Sequence, residues 1–300
     1  MLKEYIISDS GKQVVRDKEQ EAINAIKNME DVALSKHPDG YYVCDSGGKD
    51  SLVLCDLFLR ANVKCDFHHN FTTCDHPITN KYVRARKVEI ENLGYAYTIH
   101  KPFYKGEPTS IFKLIPLKGL PTRLRRWCCQ IFKEGEGTGR MIATGVRWAE
   151  SLKRKKRAQF ETITKKKDNS VFLNNDNDFR RVLEACPTYD KIALNPIVGW
   201  TDEEVWEYIH KYNLEYNLLY DMGYTRVGCV GCPMSTNMKA ELESNSKFYS
   251  AYYKACEQYL EMRPAHYFKT AKEMMDWWLS RKPRKDENQI EMEFDVDEEE

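Results

Sequence analysis

Apolar runs and polar, glycine-rich turns alternate along the N-terminal third of the chain. Tyr41–Cys44 is a short apolar run typical of a buried strand, and Leu52–Leu59 has the apolar content of a helix. Val63–His69 alternates as a second strand does, Ile78–Leu93 has helical spacing, and Tyr95–Ile99 has the pattern of a third strand. This βαβαβ order predicts an α/β fold, in which helices flank a parallel sheet with right-handed crossovers.

The rest of the chain adds further elements to this core. Arg140–Val146 is predicted to be a fourth strand, and Thr201 is placed to cap a helix that continues to Lys211. The other predicted features are a lead-in or short hairpin at 1–17, a helix at Asp17–Ser35, an irregular stretch at 101–123, a basic surface insertion with an Asn/Asp-rich turn at Asn174–Asp178, re-entry into the core at Leu194–Ile197, and long helices at Ala240–Met262 and Ala265–Ser280. The predicted organisation is a helical lead-in at 1–38, a central domain at 39–235, a C-terminal helical extension at 236–283 and an acidic tail at 284–300.

Charge is unevenly distributed, although the 46 basic and 46 acidic residues cancel. Asp286–Glu300 holds nine acidic residues and no basic one, so the rest of the chain is net positive. A terminal acidic run is typical of a solvated, disordered tail, and folding back onto the basic body as a polyanion mimic is the alternative. A net charge of zero gives no overall argument for a nucleic-acid partner.

Hydropathy and cysteine usage indicate the compartment. No apolar run is long enough to cross a bilayer, and the N-terminus lacks the apolar core of a signal peptide. The ten cysteines have none of the dense, regular spacing of a secreted disulfide scaffold, so reduced thiols are expected. We expect a soluble, cytoplasmic protein with no membrane partner.

The turn after the first central strand has the composition of an anion site. It consists of Ser46, Gly47, Gly48, Lys49, Asp50 and Ser51. Two glycines let successive backbone N–H groups face one concavity, and the following helix adds the positive end of its dipole. The spacing is not that of a Walker loop, because only two adjacent glycines precede the lysine. A Gly-Gly turn without a ligand is the alternative.

Four cysteines stand out as two pairs, Cys128 with Cys129 and Cys229 with Cys232. Two residues between Cys229 and Cys232 let both thiolates reach one metal centre. Adjacent cysteines are awkward for a single zinc ion, because neighbouring side chains diverge by about 100° on a helix. A [4Fe-4S] cluster accepts such ligands on different irons and is therefore favoured over Zn(Cys)4. Buried or redox-switching thiols without a metal are the third reading.

Arginines follow the fourth predicted strand. Gly145 lies at the strand end, and Arg147 and Arg154 are seven residues apart. Guanidinium groups held at a strand end offer fixed donors to an oxyanion or to charge that develops on phosphorus. Ordinary surface arginines are the alternative.

Together these motifs resemble the phosphoadenosine phosphosulfate (PAPS) reductase family of PP-loop, adenine nucleotide alpha-hydrolase-like proteins. The order SGGKDS, CC, GxRxxES, NPxxxW and CxxC extends over roughly residues 40–235. The resemblance implies that Ser46–Ser51 bind phosphate, that Asp75 lies near the nucleotide, and that Arg147 and Arg154 face the sulfate or phosphate. It also implies that Cys128, Cys129, Cys229 and Cys232 ligate a [4Fe-4S] cluster, as in the branch that includes adenylylsulfate (APS) reductases and the ATP pyrophosphatase of DNA phosphorothioation.

One departure from the family separates the functional hypotheses. Its reductases use a nucleophilic cysteine in a short C-terminal segment, whereas the last cysteine here, Cys256, lies within a predicted helix and is expected to be a core residue. The leading hypothesis is an ATP pyrophosphatase that adenylylates an acceptor, such as the DNA backbone, and supports sulfur incorporation. The alternatives are an APS/PAPS reductase and a non-catalytic nucleotide-binding module.

The leading hypothesis assigns roles, cofactors and partners. Lys49 and the loop amides would stabilise departing pyrophosphate with Mg²⁺, Asp50 would contribute to the same reaction, and Arg147 and Arg154 would steady the acceptor. ATP and a [4Fe-4S] cluster are the other expected cofactors. The basic stretch Lys153–Lys167 suits a nucleic-acid acceptor, with a solvated face as the alternative. A cysteine desulfurase or another sulfur or electron donor is the expected protein partner, and self-association is left open.

Overall fold

The computed structural model describes residues 1–7, 13–150, 159–162, 170–171, 183–184 and 192–281. The chain divides into two compact units, one made of Met1–Ser110 with Trp127–Val230 and the other of Ile111–Arg126 with Gly231–Glu300. Arg154, most of the basic stretch Lys153–Lys167, the turn Asn174–Asp178 and the acidic tail lie outside the described residues. The four-segment organisation from sequence stays a prediction.

The first unit is built on a six-stranded sheet. Its strands are β3 (Tyr41–Cys44), β4 (Cys65–Asn70), β5 (Tyr97–His100), β8 (Met141–Ala143), β9 (Phe160–Thr162) and β12 (Ile192–Leu194). The spatial order is β5-β4-β3-β8-β12-β9. Strands β5, β4, β3, β8 and β12 are mutually parallel, whereas β9 pairs antiparallel with β12. The predicted α/β fold with a parallel sheet is confirmed.

Helices and three two-stranded antiparallel pairs are the other described elements of the first unit. The helices are α1 (Lys18–Asn28), α2 (Glu30–Lys36), α3 (Lys49–Ala61), α4 (Pro77–Asn92), α6 (Trp127–Phe132) and α7 (Asp202–Lys211), with a 3-10 turn at Trp148–Glu150. The two-stranded pairs are β1 (Lys3–Ile7) with β2 (Gln13–Asp17), β6 (Phe103–Tyr104) with β7 (Glu107–Pro108), and β10 (Ser170–Val171) with β11 (Leu183–Glu184). Thr201 caps α7 as predicted, in a reciprocal capping box with Glu204.

Helix α3 occupies the centre of the core. Its Leu52, Leu54 and Phe58 are at most 1% exposed. Tyr41 of β3 meets the Phe58 ring edge-on with centroids 5.0 Å apart, and its hydroxyl donates to the Ile26 carbonyl of α1 at 2.5 Å. Because α3 is buried on nearly all sides, its N-terminus is held rigidly at the carboxyl end of β3.

The second unit contains only helices among the described residues: α5 (Ile111–Lys118), α8 (Met238–Glu243), α9 (Ser246–Glu261) and α10 (Ala271–Ser280). Trp278 of α10 is buried and donates from Nε1 to the Pro121 carbonyl at 2.7 Å. None of the helices in the described part of the chain combines the length and apolar character that a bilayer crossing requires.

Five predictions about the elements were wrong in part. The helix predicted at Asp17–Ser35 is two helices, because α1 ends at Asn28 and α2 begins at Glu30. The helix predicted at Ala265–Ser280 begins only at Ala271, after its cap Thr270. Residues 101–123 are not irregular throughout, since they form β6, β7 and α5. Pro116 lies in the last turn of α5, and Arg263 donates at 2.8 Å to its carbonyl, one of the terminal acceptors that have no donor within the helix. The single helix predicted at Ala240–Met262 breaks because Asn245 Nδ2 bonds the Glu241 carbonyl at 2.8 Å and ends α8. Within the predicted surface insertion, Phe160–Thr162 joins the main sheet as its edge strand.

Candidate functional site

The turn between β3 and α3 depends on its two glycines. Gly47 has φ +74°, a conformation that residues with a side chain rarely adopt, and a Cβ there would lie 2.9 Å from Thr79 Cγ2. Gly48 precedes the first residue of α3 in an extended conformation and offers no side chain to cap the helix. At the N-terminus of this buried helix, the predicted phosphate turn therefore offers backbone groups and no capping side chain.

Asp45, the residue before the turn, stabilises its conformation. Its buried carboxylate accepts hydrogen bonds from Gly47 N at 2.8 Å, Ser51 Oγ at 3.0 Å, Tyr97 OH at 2.9 Å and Arg86 Nε at 3.2 Å. Burial alone would raise the pKa of Asp45, but the charge of Arg86 and the Gly47 amide hold it below its usual value. Asp45 is thus an ionised anchor that acts on the shape of the turn.

Two further side chains complete the support of the turn. Ser46 Oγ donates to Ser51 Oγ at 3.1 Å, which joins the first and last residues of the predicted loop. Asn217, which is 1% exposed, donates to the Gly47 carbonyl at 3.1 Å. The six predicted loop residues therefore form one hydrogen-bonded unit with α3.

Four charged side chains converge beside the turn. Arg147 donates from Nε to Asp50 Oδ1 at 2.6 Å and from Nη2 to Asp202 Oδ1 at 2.5 Å. Lys49 Nζ lies 3.1 Å from the same Asp202 oxygen and 3.4 Å from Asp50 Oδ2. Burial opposes ionisation of Asp202, yet Lys49 and Arg147 lower its pKa below the usual value. Two cations and two carboxylates thus neutralise each other at the edge of the turn.

Gly145 explains how Arg147 reaches this position. A Cβ at Gly145 would lie 2.8 Å from the Asp50 carbonyl oxygen, so only glycine allows the chain after β8 to pack directly on the first turn of α3. Arg147 is 1% exposed and also donates from Nη1 to the Trp200 carbonyl at 3.1 Å. The structure brings Gly145 and Arg147 to the predicted turn.

Asp75 lies in the loop after β4, at the carboxyl end of the sheet. Its Oδ2 accepts the Thr72 N–H at 2.7 Å, and its backbone forms an isolated bridge with Cys229. Asp75 therefore shapes its own loop, and its predicted proximity to a nucleotide stays a prediction. Next to it, a hydrogen bond from the Cys74 thiol lowers the pKa of Cys229 below the usual value, although Cys229 is partly buried.

The donor set of the four predicted ligands fits an iron–sulfur group chemically. Cys128 and Cys129 are consecutive on α6, whereas Cys229 and Cys232 flank Gly231, whose φ of +75° turns the chain between them. All four are partly exposed thiols, and none forms a disulfide. Within the described ranges no group of three or more His, Cys, Asp or Glu side chains is arranged to hold a metal ion, so the cluster stays a prediction.

Sequence reasoning missed two residues of the site. Asp202 follows the predicted cap Thr201 and was not predicted as a site residue, whereas its carboxylate bridges Lys49 and Arg147. The Tyr220 hydroxyl accepts the Lys49 backbone N–H at 2.9 Å, and burial raises the pKa of Tyr220 to about 12. Both residues lie within residues 40–235, over which the family resemblance extends. That resemblance was the signal that could have indicated them.

A parallel sheet with a glycine turn that leads into the N-terminus of a buried helix is the architecture of α/β nucleotide-binding folds. Within this class the chain belongs to the PAPS reductase family, because residues 41–235 match the family model described as "Phosphoadenosine phosphosulfate reductase domain".

Individual proteins and solved structures are also similar to this chain. An adenosine 5'-phosphosulfate reductase of Staphylococcus haemolyticus is 31% identical over 192 residues, which cover 64% of this chain and 69% of the relative. An uncharacterised protein of Methanocaldococcus jannaschii is 29% identical over 73% of this chain and 41% of its own length. Among solved structures, the PAPS reductase of Candida auris in its phosphate complex matches with TM-score 0.45 at 18% identity, covering 75% of this chain and 96% of that one.

Proposed function

We propose that the protein is an ATP pyrophosphatase that adenylylates an acceptor oxygen in support of sulfur incorporation. The observation that carries this proposal is the pair Lys49 and Arg147, which Asp50 and Asp202 hold beside the N-terminus of α3. Backbone amides, a lysine and a buried arginine are suited to a triphosphate that is cleaved between its α- and β-phosphates.

Each charged group has a role in this reaction. Lys49 and the first amides of α3 bind the β- and γ-phosphates and stabilise pyrophosphate as it leaves. Arg147 cannot swing away, because it is held at three points, and it steadies the α-phosphate and the acceptor. Asp50 and Asp202 release part of their hold on the cations when phosphate arrives and can then bind Mg²⁺, which commonly takes one or two carboxylates together with substrate phosphates.

The same proposal assigns Cys128, Cys129, Cys229 and Cys232 to a [4Fe-4S] cluster. Such a cluster supplies a centre for electron transfer or sulfur binding. The observation that carries this part is the Cys-x-x-Cys spacing of Cys229 and Cys232 together with the adjacent pair Cys128 and Cys129. We further propose a nucleic-acid backbone as the acceptor and a cysteine desulfurase or similar protein as the sulfur or electron donor.

A second candidate function is sulfonucleotide reduction, which the name of the Staphylococcus haemolyticus relative favours. A reductase of this type needs a reachable nucleophilic thiol. Cys256 does not meet this need, because it is fully buried in α9 and burial raises its pKa to about 12. Reduction by this chain would therefore require another thiol.

One experiment separates these functions. The cluster-reconstituted protein is incubated with ATP labelled at the α-phosphate, with and without DNA, and separately with adenylylsulfate. The proposal expects pyrophosphate release and label transfer to an acceptor, both lost in the Ser46→Ala/Asp50→Ala double variant. Sulfite release without pyrophosphate would establish the reductase instead, and no turnover of either nucleotide would leave a non-catalytic binding module.

A further inference from the structure

The fold places Cys74, which is not a predicted cluster ligand, next to Cys229, which is one. Cys74 follows β4 in the loop that contains Asp75, and Asp75 forms its isolated bridge with Cys229. The Val230 N–H also donates to the Cys74 carbonyl at 2.8 Å. Two backbone contacts therefore fix the two segments side by side, although they are far apart in the sequence.

The two sulfur atoms share one small polar neighbour. Thr72 Oγ1 lies 3.5 Å from Cys74 Sγ and 3.3 Å from Cys229 Sγ. A disulfide needs Cα atoms within about 7 Å, and bridged antiparallel backbones lie about 5 Å apart. Cys74 is the chain neighbour of Asp75, the residue bridged to Cys229, and one threonine contacts both sulfurs, so the pair is placed to form a disulfide.

The two thiols differ in their access to solvent. Cys74 is 1% exposed, whereas Cys229 is partly exposed. We propose that Cys74 and Cys229 form a reversible disulfide when Cys229 holds no cluster, with Cys229 as the attacking and Cys74 as the resolving cysteine. The link to the cluster rests on the proposed function, whereas the disulfide rests on the contacts of this pair.

The oxidant in this step is a low-molecular-weight disulfide. The Cys229 thiolate attacks one of its sulfurs, the S–S bond breaks, and a small thiolate leaves. Cys74 sulfur then attacks the mixed disulfide at Cys229, and its proton passes to the second departing thiolate. Two protein thiols are oxidised, and one small disulfide is reduced to two small thiols. The closed pair withdraws Cys229 from the proposed ligands, so the oxidised protein should not take up a cluster.

The test uses the full chain, prepared without metal and without oxygen. The protein is treated with oxidised glutathione, the remaining thiols are alkylated, and disulfides are mapped by mass spectrometry. The expected product is a cross-link between the peptides of Cys74 and Cys229 that disappears on reduction. A cross-link between Cys229 and Cys232 instead, or no cross-link at Cys74, would overturn the proposal.

Variants and iron analysis complete the test. Cys74→Ser should trap glutathione on Cys229, whereas the matched control Cys256→Ala, which also removes one buried thiol, should cross-link as the wild type does. Oxidised wild-type protein should bind less than roughly a tenth of the iron taken up by reduced protein, and equal loading would contradict the link to the cluster. Reduced protein that binds no iron would instead refute the ligand assignment, leaving the disulfide map to stand by itself.

Discussion

Arg147 donates to the carboxylate of Asp202 at 2.5 Å, which ties the segment after β8 to the first residue of α7. The side chain of Arg147 is 1% exposed and that of Asp202 is 60% exposed. The arginine is therefore fixed from within the fold, while its partner remains accessible to an incoming ligand. The proposed chemistry makes this carboxylate the group most sensitive to the arrival of Mg²⁺ and phosphate.

Removing the charge of Asp202 should weaken the use of Mg²⁺. We expect Asp202→Asn to raise the Mg²⁺ concentration for half-maximal ATP turnover by roughly tenfold, in line with the loss of one charged metal contact. Glu203→Gln is the matched control, because Glu203 is an exposed acid in the same first turn of α7. Identical Mg²⁺ titrations for the two variants would contradict a role for Asp202 in metal binding.

Replacing Arg147 by lysine should damage both stability and activity. A lysine keeps the charge but cannot bond Asp50, Asp202 and the Trp200 carbonyl together, so unfolding in urea should show a loss of about 2 kcal/mol. ATP turnover should fall more than roughly tenfold. Arg60→Lys alters an exposed pair with Asp56 on α3 and should cost less than about 1 kcal/mol. A loss at Arg147 no larger than that at Arg60 would show that the three-point contact adds nothing.

The Tyr220 hydroxyl should support the first amide of α3. Tyr220→Phe keeps the ring but leaves the Lys49 N–H without its acceptor, which should lower the free energy of unfolding by about 1–3 kcal/mol. Tyr216→Phe removes an exposed hydroxyl bonded to Asp221 and should have a much smaller effect. Urea unfolding of both variants checks this, and equal stabilities would refute it.

We expect Asp45 to make the free energy of unfolding depend on pH. Its pKa is lowered in the folded protein, so its contribution is present at neutral pH and is lost as the pH falls through the folded-state pKa. Asp45→Asn should cost about 3–5 kcal/mol at neutral pH, since Arg86 loses its buried partner. The difference from wild type should shrink in acid. The exposed Asp31→Asn variant should change neither the free energy of unfolding at neutral pH nor its pH dependence. A difference between Asp45→Asn and wild type that stays constant at all pH values would contradict the role of Asp45.

The cysteine assignment predicts a visible chromophore. Cys232→Ser should bleach the brown colour of the reconstituted cluster, whereas Ser46→Ala/Asp50→Ala should abolish ATP turnover and keep the colour. Iron and sulfide analysis after anaerobic purification provides the measurement, with Cys256→Ala as the control. Iron retained by Cys232→Ser at the wild-type ratio would remove this residue from the ligand set.

The central part of the fold could be predicted because its signals are local. Tyr41–Cys44 is bounded by polar residues, and the glycine turn and the cap at Thr201 depend on residues only a few positions apart. Helix α5 was missed because Pro116 argues against a helix, and its stabilising partner Arg263 lies far along the chain. Side chains that satisfy such distant carbonyls leave no local periodicity.

The candidate site was predictable in its motifs but not in its contacts. The loop residues and Arg147 could be named from spacing, yet the hydrogen bond from Lys49 to Tyr220 joins residues 171 positions apart. Asp202 lies in the first turn of α7, where an acid favours the helix dipole, and nothing local in the sequence indicates its ion pairs. Those pairs with Lys49 and Arg147 arise from the packing of α7 beside α3.

Gly145 has a mechanical consequence for this site. With the Asp50 backbone too close for even a methyl group, the segment after β8 packs directly on the first turn of α3. If a ligand displaces the glycine turn, we therefore expect Arg147 to move with it. In a Gly145→Ala variant the added methyl group would push the two segments apart and increase the distance between Arg147 and Lys49, even without a nucleotide.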